Sequence, residues 1–539
     1  MRSPGSAGAG RTGEATASVP AAGEISRLIA RNTVFNLIGR FVYLVGWTLV
    51  TPFMLHRLGA ERFGVWSLLT VISGLYITFD FGLSSALTKF VAEFHAARDR
   101  ASLRTTLTLG AALYGGLALV GVIAIVTARP WLLDFFHVAP ALRDEARSAL
   151  AVAAIAYGFL NASALLSSVL SGLHRIDLAN RIAIVTTLLQ LAGVCVVLAR
   201  GGGVTAIMLV TGGALALSTV LAALTIRRLD PEIGFGWTGI APLWGRMRGF
   251  GVALQIINLG VLAQFQLDKL LFGRFLSLAA VTSYELGYRV AFAVWSLPAL
   301  MLPALLPAIS HLDASGDRER VRRLYRRASR YVFAAAFPLA AALVALGQPL
   351  YAAWLGPGHD DAALAAAALG GFLGVNALTG VGSAVARGVG RPDLEARYHL
   401  LAMALHVPLS LVLIPRFGFA GGLMSLVVSG IAGSLYFLLA FHRFMAEPVG
   451  RFVLEVVARP AVVAVAAGLL GFAAARIVAG DPGPWDRGRA LAAFIAGAGT
   501  LAVTTGVGLI ATRALGLGEL GELRRLVLGR AARAGATAP

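Results

Sequence analysis

Long apolar stretches separated by short polar gaps dominate the chain from residue 33 to residue 511. A helix needs roughly 20 mainly apolar residues to cross a bilayer, and the chain holds about fourteen such stretches. They are residues 33–55, 64–87, 105–128, 148–170, 182–199, 204–226, 250–272, 276–309, 331–346, 363–386, 398–415, 420–441, 460–479 and 491–511. The pattern predicts an all-α polytopic membrane protein of about 14 transmembrane helices. We expect Pro298, Pro303 and Pro307 to kink the long eighth stretch.

The composition agrees with a membrane protein. Hydrophobic residues make up 58% of the chain and charged residues 14%, whereas soluble domains carry about 45–50% and about 25%. The net charge of +19, from 46 basic and 27 acidic residues, lies in short gaps between apolar stretches, so we expect no nucleic-acid partner. Cys195 is the only cysteine, which excludes an intrachain disulfide and a thiolate metal cluster.

The polar gaps between the apolar stretches alternate between many and few basic residues along the chain. With the N-terminus inside, roughly 32 Lys and Arg residues fall in inner gaps and about 11 in outer gaps. Seven of the inner arginines lie between Arg318 and Arg330. Because basic loops stay on the cytoplasmic side, this asymmetry predicts an even number of spans with both termini cytoplasmic.

The chain contains an internal repeat. The segment SGLHRIDLANR at 171–181 matches RGVGRPDLEAR at 387–397 with an offset of 216 residues, as from Gly172 to Gly388. The same offset relates Arg200 to Arg416. Both segments follow the fourth span of a set of six, so the repeat predicts two six-helix bundles with the same orientation, related by a pseudo-two-fold axis along the membrane normal.

The repeat, the gaps and the charges together predict a division of the chain. The predicted parts are a disordered cytoplasmic tail (1–32), an N-terminal six-helix bundle (33–230), a cytoplasmic linker (231–249), a C-terminal six-helix bundle (250–445), helices 13 and 14 (446–512) and a cytoplasmic amphipathic tail (513–539). In transporters built from such repeats, the substrate lies between the halves, which rock against each other.

Several motifs carry a family resemblance. They are RNTVFNLIGRF and LHRLGAERFG within residues 31–64, FDFGLSSALTKFVAEF at 79–94, the two repeated segments, and DKLLFGRFLSLAAVTSYELGYRV at 268–290. Over residues 31–511 the chain resembles the Wzx-like O-antigen or exopolysaccharide flippases of the multidrug/oligosaccharidyl-lipid/polysaccharide exporter superfamily. The resemblance implies alternating-access transfer of a polyprenyl-diphosphate-linked oligosaccharide to the outer leaflet of the cell inner membrane, with no ATP site and no cofactor.

Charged and polar residues within spans one, two, seven and eight are the candidate site, because such residues are costly in a bilayer and usually functional. In the family that the chain resembles, these spans line the central cleft. A diphosphate needs cationic donors, sugars need amides and aromatic rings, and a coupling H+ or Na+ needs a carboxylate. The candidates are Arg40, Lys269 and Arg289 for the diphosphate, Asn36, Tyr43, Trp47, Gln255, Asn258 and Gln266 for sugars, and Asp80, Asp268 and Glu285 for the coupling ion.

Structural roles compete with these assignments. Glu285 and Arg289 stand one helical turn apart and could form an ordinary pair, while Asp268 and Lys269 could lie at a helix end and reach the interface. Four single polar residues within spans are interpreted as hydrogen-bond partners between helices: Asn161, Gln190, Asn376 and His406.

Three other functions stay open. A cationic-drug antiporter of the same superfamily predicts a cleft dominated by acids, whereas here three cations balance them. A murein-precursor flippase shares the general plan. A membrane polysaccharide polymerase would need a large outer loop, and the longest, around residues 130–147, has about 18 residues. The chain carries no Walker A, H-E-x-x-H or nucleophile-elbow motif, so we do not expect an enzyme.

Overall fold

The computed structural model describes residues 22–78, 80, 82–236, 251–299, 301–302, 305–480 and 486–514. Most of the predicted linker 231–249, nearly all of the predicted tail 513–539 and residues 1–21 of the predicted N-terminal tail lie outside this part of the chain. Residues 22–32, also predicted as tail, belong to the first helix. All regular structure within the described ranges is helical.

The helices follow one another with short connections. In chain order they are α1 (Ala22–Thr78), α2 (Leu83–Ala96), α3 (Arg100–Phe135), α4 (Pro140–Gly172), α5 (Ile176–Ala199), α6 (Val204–Leu229), α7 (Gly251–Phe265), α8 (Leu267–Phe275), α9 (Leu278–Ala299), α10 (Leu305–Ala314), α11 (Arg318–Trp354), α12 (Asp360–Gly388), α13 (Asp393–Met445), α14 (Val449–Phe452), α15 (Ala458–Ala479) and α16 (Arg487–Ala511). A short π-helical segment, Val453–Val457, joins α14 to α15.

The described helices confirm the predicted membrane fold. Ten are long and apolar enough to cross a bilayer. Two of these, α1 and α13, are interrupted by a kink at Gly59 (φ 73°) and Gly418 (φ 58°), positive angles that favour glycine, and their 57 and 53 residues are enough for two crossings each. The seventh and eighth predicted spans are divided into the shorter helices α7–α8 and α9–α10. With these two spans added, the structure accommodates the fourteen predicted crossings.

Three crossings are interrupted. The α7–α8 break falls at Gln266, α1 ends at Thr78 before α2 begins at Leu83, and α9 ends at Ala299 before α10 begins at Leu305. The eighth span is thus interrupted after Pro298, where the sequence predicts a kink, while Pro303 lies outside the described residues. The second crossing of each half is interrupted.

The two halves meet mainly where α1 packs against α9. The Thr282 hydroxyl donates to the Ala60 carbonyl at 2.6 Å, and Arg274 contacts the ring of His137 at 3.1 Å. These contacts lie at the predicted outer end. Helices α15 and α16 pack on each other and on α11, beside the second half.

The orientation of this fold is testable by thiol labelling. In a Cys195→Ser background we expect a membrane-impermeant maleimide added to intact cells to label Ala141→Cys, at an exposed position by the predicted outer end of α4, but not Ala97→Cys, at an exposed position between α2 and α3. The reason is the bias of basic loops towards the cytoplasm.

Labelling in lysed cells serves as the control, since both cysteines should then react. If only Ala97→Cys is labelled in intact cells, the predicted topology is wrong and the protein has the opposite orientation.

Candidate functional site

A cavity of about 590 Å³ lies between the two halves. This volume is within the range of about 300–1,000 Å³ that is usual for small-molecule sites. The first half contributes residues of α1 and α4–α6 to its wall, and the second half contributes residues of α7, α8 and α9 together with Gln266. The charged lining residues, Lys269, Glu285 and Arg289, all come from the second half. The cavity therefore has one charged wall and one uncharged wall.

The three charged residues form one cluster. Lys269 Nζ lies 2.5 Å from one oxygen of Glu285, and Arg289 Nε donates to the other at 2.7 Å. The side chains are 3%, 6% and 17% exposed for Lys269, Glu285 and Arg289, respectively. The one-turn pair considered as a structural alternative is thus present, but a second cation shares its carboxylate. With all three groups ionised, the cluster carries one net positive charge.

The short helix α8, which begins at Leu267 directly after Gln266, carries the lysine. Consecutive residues of a helix point about 100° apart, so Asp268 and Lys269 face different surroundings. Lys269 lines the cavity, with its ammonium 4.7 Å from the centre of the Tyr288 ring. Asp268 is fully buried and lies 3.1 Å from His406 Nε2 on α13.

The predicted sugar-contacting residues divide into two groups. Tyr43, Trp47, Asn258 and Gln266 line the cavity. Gln255 is buried but is not part of the lining, and the side chain of Asn36 lies outside the described part of the chain.

The other predicted charges lie away from the cavity lining. Arg40 is exposed on α1 and does not line the cavity. Asp80 accepts a hydrogen bond from the Tyr114 hydroxyl at 2.5 Å and from the Ser84 amide at 3.2 Å, beside the start of α2. Of the predicted coupling carboxylates, only Glu285 is at the cavity, while Asp80 and Asp268 occupy separate places within the two halves.

The structure adds residues that the sequence did not single out. Trp66, Thr48 and Thr70 of α1 line the cavity. Gln190, interpreted as an interhelical partner, does donate to Thr211 at 3.0 Å, and both residues also face the cavity. In the sequence, the uncharged wall of the cavity is indicated only by single polar residues within apolar stretches. Such residues look the same as those that form ordinary hydrogen bonds between helices.

Residues 55–364 match a family described as polysaccharide biosynthesis protein. The chain belongs to this family. It is also 25% identical over 181 residues to a probable flippase, AglR, of Haloferax volcanii, an alignment that covers 33% of this chain and 38% of that protein.

Solved structures share the fold. The lipid II flippase MurJ in an inward closed conformation matches with a TM-score of 0.68 and 12% identity, over 89% of this chain and 98% of that one. An inward-facing multidrug resistance transporter of the MATE family, in the MOP superfamily, matches with a TM-score of 0.62 and 14% identity, over 78% and 98%. The protein is thus a membrane protein with a flippase-like and transporter-like fold.

The cluster predicts a specific stability effect. Glu285→Gln leaves two cations in an apolar cavity without their carboxylate, and losing one partner of a buried pair costs about 3–5 kcal/mol. We expect a clear fall in the thermal unfolding midpoint of the purified protein, followed by tryptophan fluorescence. Glu285→Gln combined with Lys269→Met should recover most of the loss.

The matched control is Glu455→Gln, which breaks an exposed pair with Arg451 of the same 2.7 Å length and should leave the midpoint nearly unchanged. Equal midpoints for Glu285→Gln and the unmodified protein would show that Glu285 does not balance the buried cations.

Proposed function

We propose that this protein flips a polyprenyl-diphosphate-linked oligosaccharide from the cytoplasmic to the outer leaflet of the cell inner membrane, for assembly of a surface polysaccharide. The observation that carries the proposal is the pair of cations sharing one carboxylate in the cavity between the halves. The family match and the similarity to a probable flippase support it.

A diphosphate suits this cluster chemically. Arg289 offers planar donors that can bind phosphate oxygens in pairs, and Lys269 offers a compact ammonium. Because Glu285 neutralises only one of the two cations, an arriving anion meets an unbalanced positive charge in a setting of low dielectric. Displacing Glu285 from either cation would free further donors.

The uncharged wall suits the sugars next to the diphosphate. Tyr43 and Trp47 offer aromatic faces, and Gln190 with Thr211 offers hydrogen-bonding groups on the same side. Asn258 and Gln266 add amides from the opposite side. In this arrangement the diphosphate lies against the second half and the first sugars lie against the first half, while the polyprenyl chain stays in the bilayer.

The coupling ion, H+ or Na+, would act at carboxylates. Glu285 is the carboxylate in direct contact with the cations that bind the substrate, so its protonation would release both of them. Asp268 and Asp80 are separated from the cavity and would influence the helices rather than the cargo directly.

Transport of organic cations is the second candidate, since the cavity is rich in aromatic side chains and contains Glu285. The net positive charge of the cluster disfavours it. A murein-precursor flippase would use the same diphosphate contacts, so only the attached glycan distinguishes that alternative.

We expect Arg289→Ala and Lys269→Ala each to abolish surface polysaccharide in a strain that depends on this protein, with normal protein levels in the membrane by immunoblotting. Arg40→Ala is the matched control, because Arg40 is an exposed cation outside the cavity lining, and it should support near-normal polysaccharide. Normal polysaccharide with both cavity variants would refute the proposed function.

Direct binding provides a second test. Farnesyl diphosphate, a short probe with the same charged group, should bind the purified protein, and Arg289→Ala should weaken its Kd by about tenfold or more, as expected for lost charge-assisted hydrogen bonds. Isothermal titration calorimetry would measure both proteins. Tighter binding of a lipophilic cation such as tetraphenylphosphonium than of farnesyl diphosphate would favour the cation exporter instead.

A further inference from the structure

One face of α9 contacts the first half between Leu278 and Arg289. Leu278, Thr282, Glu285 and Arg289 follow one another at helical spacing and share this face. At one end, the Leu278 carbonyl occupies the space that a side chain at Gly64 would need, and Thr282 donates to the Ala60 carbonyl at 2.6 Å. The cation Arg289 is therefore part of the contact between the halves as well as of the cavity wall.

Three aromatic rings of α1 surround the guanidinium of Arg289. Its central carbon lies 4.8 Å from the ring centre of Trp66, 5.5 Å from Trp47 and 6.0 Å from Phe63. We call Trp47, Phe63 and Trp66 the aromatic cage. The rings also contact one another, with Trp47 stacked on Trp66 at 5.7 Å and Phe63 edge-on to Trp66 at 5.1 Å. The cage is thus an assembled feature of the first half.

Arg289 differs from Lys269 in this respect. Lys269 contacts Glu285 and Tyr288, which both belong to the second half. Arg289 bonds to Glu285 in its own helix and also donates from Nη1 to the Thr51 hydroxyl of the first half at 3.3 Å. Arg289 is therefore the charged residue of the cavity cluster that contacts both halves.

The cage and an anion can hold the same guanidinium at once. Aromatic rings attract a guanidinium across their faces, whereas its N–H donors project from its edges, where carboxylate or phosphate oxygens bind. A stacked guanidinium has few orientations left. The cage therefore restricts Arg289 without using up the donors that an anion needs.

We propose that the aromatic cage is a positioning device that couples anion binding at Arg289 to closure of the predicted outer end of the cavity. This inference rests on the proposed function. While α1 and α9 are in contact, the cage aims Arg289 into the cavity and the diphosphate is held firmly. When the halves separate at that end, Arg289 leaves the cage and the hold on the diphosphate weakens, which favours release.

The coupling is reciprocal, because a ligand that binds one arrangement more tightly also stabilises that arrangement. A bound diphosphate should therefore keep the contact between α1 and α9 closed. Loss of the cage should weaken both the binding and the closure, even though no cage residue need contribute a charge.

The test uses a reporter cysteine in the contact. In the full-length Cys195→Ser protein, Leu278→Cys places a thiol at a position that is 6% exposed in the contact, and maleimide labelling measures its opening. Farnesyl diphosphate should slow this labelling, and Trp66→Leu should both speed it without ligand and abolish the protection. The Kd for farnesyl diphosphate should weaken by about tenfold in Trp66→Leu and by less than about threefold in Trp66→Phe, which keeps a ring.

Two controls separate positioning from general damage. Trp131→Leu removes an exposed tryptophan of α3 and should change neither labelling nor binding. Thr51→Val removes only the hydroxyl that accepts from Arg289, so it reports on the same coupling if Trp66→Leu does not fold, with an expected loss of affinity of about threefold.

The outcomes distinguish the two proposals. If Trp66→Leu labels and binds like the parent protein, the cage proposal is wrong and the proposed function stands. If the parent protein does not bind farnesyl diphosphate, the proposed function fails. In that case, faster labelling of ligand-free Trp66→Leu would still show that the cage stabilises the contact between the halves. Unchanged ligand-free labelling would overturn the cage in either case.

Discussion

One carboxylate, Glu285, pairs with two cations, Lys269 and Arg289, in a cavity enclosed largely by apolar helices. The excess of one positive charge determines the arrangement of the site. An unpaired charge is expensive to bury, so Lys269 and Arg289 remain there only because they share Glu285 and contact aromatic rings. The one net positive charge that remains makes the cavity a better host for an anion than for a cation. It also makes Glu285 the group whose protonation would change the site most.

The two halves divide the chemistry of the cavity between them. The offset of 216 residues pairs Gln190 with His406. Gln190 donates to Thr211 on the cavity wall, whereas His406 is buried inside the second half beside Asp268. At these equivalent positions of the repeat the two polar residues therefore have different surroundings, and the charged residues that line the cavity all come from the second half. A cargo with a charged end and a neutral end matches this division.

One of the helix breaks lies beside the cavity. Irregular backbone at membrane depth is tolerated where protein or a polar cavity surrounds it. Gln266, at the break, lines the cavity, and α8 then places Lys269 at the cavity and Asp268, about 100° around the helix, against His406. Near the predicted outer end, α1 and α9 are in close contact at Gly64 and Leu278.

The sequence by itself determined the helical membrane fold and the family, and it predicts about fourteen crossings and a kink in the eighth span, because hydropathy and short motifs are local properties that each segment carries with it. It also singled out Lys269, Glu285 and Arg289, since charges are rare within apolar stretches. Only the tertiary structure decided that these three form one cluster, that Arg40 is exposed and that Asp268 lies away from the cavity. The same holds for Trp66 and Thr51, whose roles depend on a contact with Arg289 more than two hundred residues along the chain. Helical spacing predicts which face a residue shares with its own neighbours, but the packing of α1 against α9 decides which distant residue that face meets.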